Sequence, residues 1–282
     1  MRVVDTDLRG RGRPGVRMRR RSRAPARRAP RGEDRPMTAG LGLRAHPRLI
    51  EFFAVCAGLL LLSAAVLAFD LDLRVSSLFH DETSDPSWCG KGQALWDAVY
   101  RYGVWPANAT AIGAALLAIL SIFLARLRVH RRDCLLLVLT LLVGPGLLVN
   151  AILKEETGRP RPRDIVEFGG AEAFHPVGRI DLDGEGRAFP SGHASMGFYF
   201  TSVYLALRRN RRSGARAGAR VALGGSLFAG GLLGLQRIAV GAHFLSDIIW
   251  SGGIVYLAAL GLDSLLGKFR WATPAPPRPP TR

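Results

Sequence analysis

Three groups of polar residues in the second half of the sequence have side chains suited to binding and transferring a phosphoryl group. They are Lys154 with Arg161, then Ser191, Gly192 and His193, and finally Arg237, His243 and Asp247. The arginine fork matches the oxygens of a phosphate, and lysine adds a point charge. A Ser-Gly pair before a helix offers a hydroxyl and free backbone N–H groups to an anion. Together the three groups predict chemistry on a phosphate ester.

The two histidines and the aspartate supply the reactive groups. If the chain after His243 is helical, His243 and Asp247 lie on one face at i and i+4. The carboxylate can then hold one ring nitrogen and leave the other free to attack phosphorus. His193 would supply the proton that the leaving oxygen needs. Such a set needs no metal and no cofactor.

Six apolar segments must position these residues. They cover residues 49–69, 104–124, 134–153, 192–207, 221–235 and 248–266. A bilayer core of about 30 Å requires roughly 20 apolar residues in a helix, and the fourth segment is shorter and more mixed than the others. The sequence predicts an all-α bundle of six transmembrane helices over residues 49–267.

The basic residues are concentrated at the start of the chain. The formal net charge is +17, while 48% of the residues are hydrophobic. Residues 1–48 hold fifteen arginines against four acids, a net charge of +11, without apolar periodicity. We expect a disordered Arg-rich tail there and a Pro-rich tail at 268–282. Binding of RNA or anionic lipid by the first tail is an alternative function, but we expect no nucleic-acid partner.

The loop charges predict which way the chain faces. Arginines crowd residues 126–132 and 208–220, whereas residues 70–103 carry six acids against three bases and residues 154–190 eight against six. By the positive-inside rule, both termini and the two basic loops are cytoplasmic. All three polar groups then lie at the outer surface of an inner (plasma) membrane, where ionisable residues indicate function.

In order and spacing, the three groups resemble the signature of the type 2 phosphatidic acid phosphatase superfamily. The matching patterns are Lys-x6-Arg-Pro from Lys154, Pro-Ser-Gly-His from Pro190, and Arg-x5-His-x3-Asp from Arg237. The resemblance covers roughly residues 50–266 and implies the six-helix membrane branch. It also implies that His243 is the nucleophile that forms a phosphohistidine, with Asp247 orienting it. His193 would be the general acid that later activates water.

The same resemblance implies a phosphate clamp of Lys154, Arg161 and Arg237, with hydrogen bonds added by Ser191 and Gly192. The sequence has two Arg-Pro pairs, and the spacing selects Arg161 rather than Arg159. One position departs from the family, which usually has serine before the third-motif arginine, where this chain has Gln236. The role of that position is therefore left open.

Two further segments bear on the substrate. Residues 165–174 and 100–106 resemble the bacterial lipid A phosphatase branch, while undecaprenyl pyrophosphate, phosphatidylglycerol phosphate and phosphatidic acid also stay open as substrates. Five aromatic residues could form an interfacial belt or a lid over the entrance: Trp88, Trp96, Tyr100, Tyr102 and Trp105. The sequence therefore predicts a metal-independent lipid phosphatase acting on a phosphomonoester or pyrophosphate at the outer membrane surface. The alternatives are a phosphotransferase with an acceptor alcohol or sugar, and a non-enzymatic membrane protein with a binding tail.

Overall fold

The computed structural model of the protein describes residues 47–209, 213–269 and Trp271. Its α-helices are α1 Pro47–Ala68, α2 Leu71–Ser77, α3 Ala94–Tyr102, α4 Trp105–Phe123, α5 Arg131–Leu141, α6 Lys154–Glu156, α7 Gly192–Phe198, α8 Thr201–Arg208, α9 Ser213–Ala239 and α10 Leu245–Leu266. No β-strand forms within these residues, which confirms the all-α prediction for the part of the chain described. Most of both predicted tails, 1–48 and 268–282, lies outside it.

Five helical segments are long and apolar enough to cross a membrane. They are Pro47–Ala68, Ala94–Phe123, Ala125–Glu156, Gly214–Ala239 and Leu245–Leu266. At 1.5 Å per residue, a helix of the length of α1 or α10 extends about 33 Å, which is enough for the hydrocarbon core. The chain is therefore a multi-pass membrane protein.

The fourth predicted span is not one continuous helix. Residues 192–207 form α7 and α8, which are separated at Tyr199 and Phe200. Near the break the hydroxyl of Thr201 donates to the Phe198 carbonyl at 2.8 Å, and that of Ser202 to the Tyr199 carbonyl at 2.8 Å. Such side-chain bonds compete with the helical ladder and bend helices. Neither half alone has the length of a full span.

The third span changes its helical form in the middle. After α5 the chain forms a π-helix over Leu142–Leu153, which leads directly into α6. Pro145 lies inside this segment and has no N–H to donate. The side-chain amide of Asn150 donates to the Pro145 carbonyl at 2.7 Å. The chain therefore forms a wider helix around Gly144, Pro145 and Gly146, a feature often found near functional sites.

The burial pattern of the bundle matches a lipid environment. Large apolar side chains such as Leu61, Phe123 and Phe228 are exposed, whereas Thr140 and Ser251 are fully buried. The closest helix crossing joins α7 to α9, where the Gly197 backbone lies against that of Gly230 so tightly that a Cβ on Gly197 would overlap it. Small residues allow this approach, which is typical of membrane helix pairs.

Buried ion pairs close the end of the bundle opposite to the three motifs. Asp263, near the end of α10, is fully buried and accepts from Arg48 at 2.7 Å and from Arg132 at 2.9 Å. At the same end of the bundle, the Arg208 guanidinium donates twice to the Glu51 carboxylate, at 2.6 and 3.0 Å. These bonds connect α1, α5, α8 and α10 at this end of the bundle.

Candidate active site

Backbone contacts hold the three motif segments together at one end of the bundle. The Ala188 N–H donates to the Arg159 carbonyl at 2.9 Å, and the Arg163 N–H donates to the Gly241 carbonyl at 3.1 Å. The hydroxyl of Ser251, in α10, donates to the Ser191 carbonyl at 2.9 Å. The structure therefore brings together the three segments that the sequence analysis singled out.

The second motif begins α7. The Ser191 hydroxyl oxygen accepts from the Ala194 N–H at 3.4 Å and so caps the helix, and Ser191 itself is fully buried. A Cβ on Gly192 would come within 2.5 Å of the Asn150 side-chain oxygen, so a larger residue there would displace the Asn150 side chain. Ser191 therefore has a structural function as the cap of α7. Its hydrogen bond to a phosphate stays a prediction.

The third motif lies across the turn between α9 and α10. Arg237 belongs to the last turn of α9, and His243 lies in the loop that follows. Gly241 has a φ of +66° and packs on Trp88, a close approach in the left-handed region that favours glycine. Trp88 is 1% exposed, so its predicted place in an interfacial belt is wrong.

The prediction that His243 and Asp247 share one helical face is wrong. Helix α10 begins only at Leu245, and Asp247 is in its first turn. The carboxylate accepts from the Phe244 N–H at 2.7 Å, as an N-terminal capping group does. Because the chain folds back at this cap, the His243 Nδ1 still lies 3.5 Å from the Asp247 Oδ2.

A backbone carbonyl determines which nitrogen of His243 carries the proton. Nδ1 lies 2.5 Å from the Ala188 carbonyl oxygen, closer than it is to Asp247. A carbonyl only accepts, so the neutral ring is protonated at Nδ1 and keeps its lone pair on Nε2. His243 is 3% exposed, and this burial lowers the pKa of its imidazole below the usual value, against the opposing effect of Asp247. The ring is therefore a neutral base at pH 7.

The three predicted clamp residues lie near one another, and Lys154 and Arg237 lie near both histidines. The charges of Arg161 and Arg237 act on Lys154, and those of Arg237 and Lys154 act on His243. Within the described residues none of the three cations forms an ion pair, unlike Arg163 and Arg187, which pair with Asp164 and Glu155 respectively. Three uncompensated cations beside a neutral imidazole suit a dianionic phosphate.

Arg237 has a buried donor without an acceptor. Its Nε has no hydrogen-bond partner among the described residues, and the same holds for the side-chain oxygen of the adjacent Gln236. Buried polar atoms in folded proteins are nearly always paired, so each orphan needs a ligand or a reason. A phosphate oxygen would satisfy the Arg237 Nε. Gln236 is 2% exposed, and the structure shows no bond that replaces the hydroxyl of the usual serine.

Tyr100 contacts a histidine and a clamp arginine at once. Its ring stacks on His193, with centroids 4.4 Å apart and planes 17° from parallel, and the Arg237 guanidinium lies 4.9 Å from its centroid. The sequence placed Tyr100 among five aromatics of a belt or lid, but nothing in its spacing indicated these contacts. The last turn of α3 therefore limits where both side chains can lie.

Sequence reasoning also missed a buried charge network beside His243. Arg159 was passed over in favour of Arg161, yet it donates to Asp247 at 2.5 Å and to Asp72 at 2.8 Å. A second Arg-Pro pair beside the motif was the only signal for Arg159. Asp72 had none, because it is one acid in an acidic segment far from the motifs. Within the described residues no group of three or more His, Cys, Asp or Glu side chains is arranged to hold a metal ion.

Comparison with known proteins gives consistent matches. Residues 133–271 match the model of the PAP2 superfamily. The chain is 29% identical to lipid A 4'-phosphatase of Francisella tularensis subsp. novicida (strain U112) over 204 residues, which is 70% of this chain and 86% of that protein. It is 38% identical to lipid A 4'-phosphatase of Rhizobium leguminosarum over 127 residues, 43% of this chain and 50% of that protein. No solved structure matches the chain.

Proposed function

Since the chain carries a PAP2 superfamily domain and is a membrane lipid phosphatase of that family, we propose that it hydrolyses a phosphate monoester of a lipid A-type glycolipid. The reaction would take place at the outer surface of the inner membrane, through a phosphohistidine at His243. The observation that carries this proposal is the group of three unpaired cations, Lys154, Arg161 and Arg237, next to a neutral histidine. The names of the relatives support the choice of lipid.

In the first step, the Nε2 lone pair of His243 attacks phosphorus, so an N–P bond forms as the P–O bond to the sugar breaks. His193 gives its proton to the departing sugar oxygen. The Ala188 carbonyl and Asp247 hold Nδ1–H and stabilise the imidazolium that develops. Lys154, Arg161 and Arg237 bind the phosphoryl oxygens.

In the second step, neutral His193 takes a proton from water while the water oxygen attacks the phosphohistidine. The N–P bond breaks, inorganic phosphate leaves, and both histidines return to their starting states. Neither step needs a metal or another cofactor. A phosphotransferase would differ only in the second step, where an acceptor hydroxyl would replace water.

The orientation follows from charge. The basic loops at 126–132 and 208–220 favour the cytoplasmic side, which places the motif end outward and both termini inside. A chain with both termini on the same side must cross the membrane an even number of times. We therefore assign α7 and α8 together as the fourth of six crossings. The buried hydroxyl and small residues of this pair suit a helix covered by its neighbours.

The test uses the full-length protein purified in detergent with a bisphosphorylated lipid A, in the presence of a chelator. We expect release of free phosphate, complete loss of release in His243→Ala, and full activity in His130→Ala, which removes an exposed histidine at the other end of the bundle. Phosphate release by His243→Ala at the wild-type rate would exclude the mechanism. A phosphorylated acceptor in place of free phosphate would identify a transferase.

A further inference from the structure

We propose that Arg159, held in place by Asp72, is a positioning residue that acts on the nucleophile through Asp247. This inference rests on the proposed function, because it assigns His243 as the group that attacks phosphorus. It extends that function to two residues that the motifs do not specify, since Arg159 occupies a variable position of the first motif and Asp72 lies outside all three. One of them, Asp72, lies in α2, well before the segment that matches the family.

Each of the three guanidinium nitrogens of Arg159 donates a hydrogen bond to a protein acceptor. Its Nε donates to the His175 carbonyl at 2.9 Å, and its Nη1 donates to the Ser246 hydroxyl at 2.8 Å and to the Asp247 Oδ1 at 2.5 Å. Its guanidinium also lies 4.5 Å from the centroid of the Phe244 ring. Arg159 is 1% exposed. It therefore cannot reach a phosphate, in contrast to the half-buried and unpaired Arg161.

Asp72 fixes the far side of the guanidinium. Its Oδ2 accepts from the Arg159 Nη2 at 2.8 Å and from the Ser246 hydroxyl at 2.6 Å, while its Oδ1 accepts from the Ser246 N–H at 2.8 Å. Asp72 is 2% exposed, and within the described residues its carboxylate accepts hydrogen bonds only from Arg159 and Ser246. It thus attaches α2 to the first turn of α10, where Asp247 lies.

The charges of this network match the reaction. Asp72, Arg159 and Asp247 together carry one negative charge, and they are buried behind the His243 ring. Transfer of the phosphoryl group makes that ring an imidazolium, whose charge the network balances. Without Arg159, two carboxylates would share Ser246 in a buried space, where like charges cannot both stay ionised. Asp247 would then lose either its charge or its place beside Nδ1.

Contacts that only position a catalytic group affect turnover more than binding. We expect Arg159→Gln to lower kcat about 100-fold, with little change in KM because the side chain does not touch substrate. Asp72→Asn should lower kcat by a smaller factor, since Arg159 keeps its bond to Asp247. Arg161→Gln should raise KM as well, because that residue binds the phosphate.

A matched control separates positioning from folding. Arg132 is also a buried arginine, 8% exposed, and it donates to the fully buried Asp263 at the opposite end of the bundle. Arg132→Gln should lower thermal stability in detergent by an amount similar to Arg159→Gln and leave kcat unchanged. Size-exclusion profiles show which variants fold.

The deciding measurement is a double-mutant cycle with Asp247→Ala. If Arg159 acts through Asp247, Arg159→Gln has no further effect on kcat in that background. Equal loss in both backgrounds, an unchanged kcat in Arg159→Gln, or the same kcat loss in Arg132→Gln would overturn the inference. Loss of activity in His243→Ala together with any of these results would leave the proposed function intact. An active His243→Ala would remove its basis.

Discussion

At the scale of single residues, a backbone carbonyl and a side-chain carboxylate both lie close to the Nδ1 of His243 and affect the ring differently. The Ala188 carbonyl determines the tautomer through a 2.5 Å contact, and Asp247 supplies charge from 3.5 Å. A carboxylate alone would hold Nδ1–H equally well, but its negative charge would raise the basicity of the ring. Burial keeps the imidazole neutral at pH 7, while the Asp247 carboxylate remains close enough to stabilise a positive charge on the ring.

The pKa of His243 leads to a prediction for the pH profile. Burial lowers this pKa below the usual value of about 6.5. Protonation of Nε2 abolishes nucleophilicity, so activity is present above the folded pKa and lost as the pH falls through it. On the acid side of the profile, we expect kcat/KM to decline only below about pH 6.5, while loss of the His193 proton gives a separate decline toward higher pH. Measured rates across the acid and alkaline range test this, and an acid limb that begins above pH 7 would contradict it.

Tyr100 gives a second prediction at this scale. Replacing Tyr100 with leucine removes the stacking that holds His193, the proposed acid, whereas Tyr100→Phe keeps it. Turnover of a lipid or alkyl phosphate should fall at least 10-fold in the leucine variant, because the alkoxide needs a proton to leave. With p-nitrophenyl phosphate, whose leaving group needs no proton, the first-turnover release of p-nitrophenol should fall less in Tyr100→Leu, because His193 is needed there only for the later attack of water. Equal losses on the two substrates in Tyr100→Leu would argue against this role for the ring.

At the scale of helices, the site depends on the close approach of α7 and α9. Helix α7 carries His193 and α9 carries Arg237, and the two helices cross at Gly197 and Gly230 with no room for a side chain. The absence of side chains at Gly197 and Gly230 therefore sets how closely the helices that carry His193 and Arg237 approach each other. The cap at Ser191 and the bond from Ser251 then set the height of α7 against α10.

We expect Gly197→Ala to separate these helices. Its methyl group would overlap the Gly230 backbone, and overpacking of this kind costs about 1–3 kcal/mol. Thermal unfolding in detergent should show the loss, together with reduced activity. Gly231→Ala is the matched control, since nothing lies within 4 Å of its Cβ and alanine favours a helix. A Gly197→Ala variant as stable as this control would show that the crossing tolerates a side chain.

At the scale of the whole molecule, the two ends of the bundle use ionisable groups in opposite ways. At the end opposite to the motifs, arginines are paired with acids such as Asp263 and Glu51. At the motif end Arg159, Arg163 and Arg187 are paired with acids, but the predicted clamp cations Lys154, Arg161 and Arg237 lack acidic partners among the described residues. The ion pairs at the first end join helices to one another, whereas the unpaired cations at the motif end can bind an anion.

Native cysteines allow a test of the orientation. Cys89 is exposed at the motif end, whereas Cys56 and Cys134 lie within spanning segments. A membrane-impermeant maleimide should label Cys89 in intact spheroplasts. A cysteine placed in the basic loop by Arg128→Cys, in a Cys89→Ser background, should react only after permeabilisation. The reverse pattern would place the site in the cytoplasm.

The sequence by itself determined the residue types of the site, their order and the segments that carry them. Apolar runs, loop charges and motif spacing are local properties, so five of the six predicted spans appear as long apolar helices, although the fourth divides in two. The short, mixed composition of residues 192–207 gave the only warning of that division.

Only the tertiary structure decided how these residues are held. His243 lies outside α10 because Asp247 caps that helix, a choice that depends on the chain folding back rather than on a four-residue spacing. Arg159 and Asp72 are separated by 87 positions, and nothing local relates them. Their contact depends on the packing of α2 against the start of α10. Side-chain partners at such separations follow from where the backbones meet in space, which the pattern of residues along the chain does not specify.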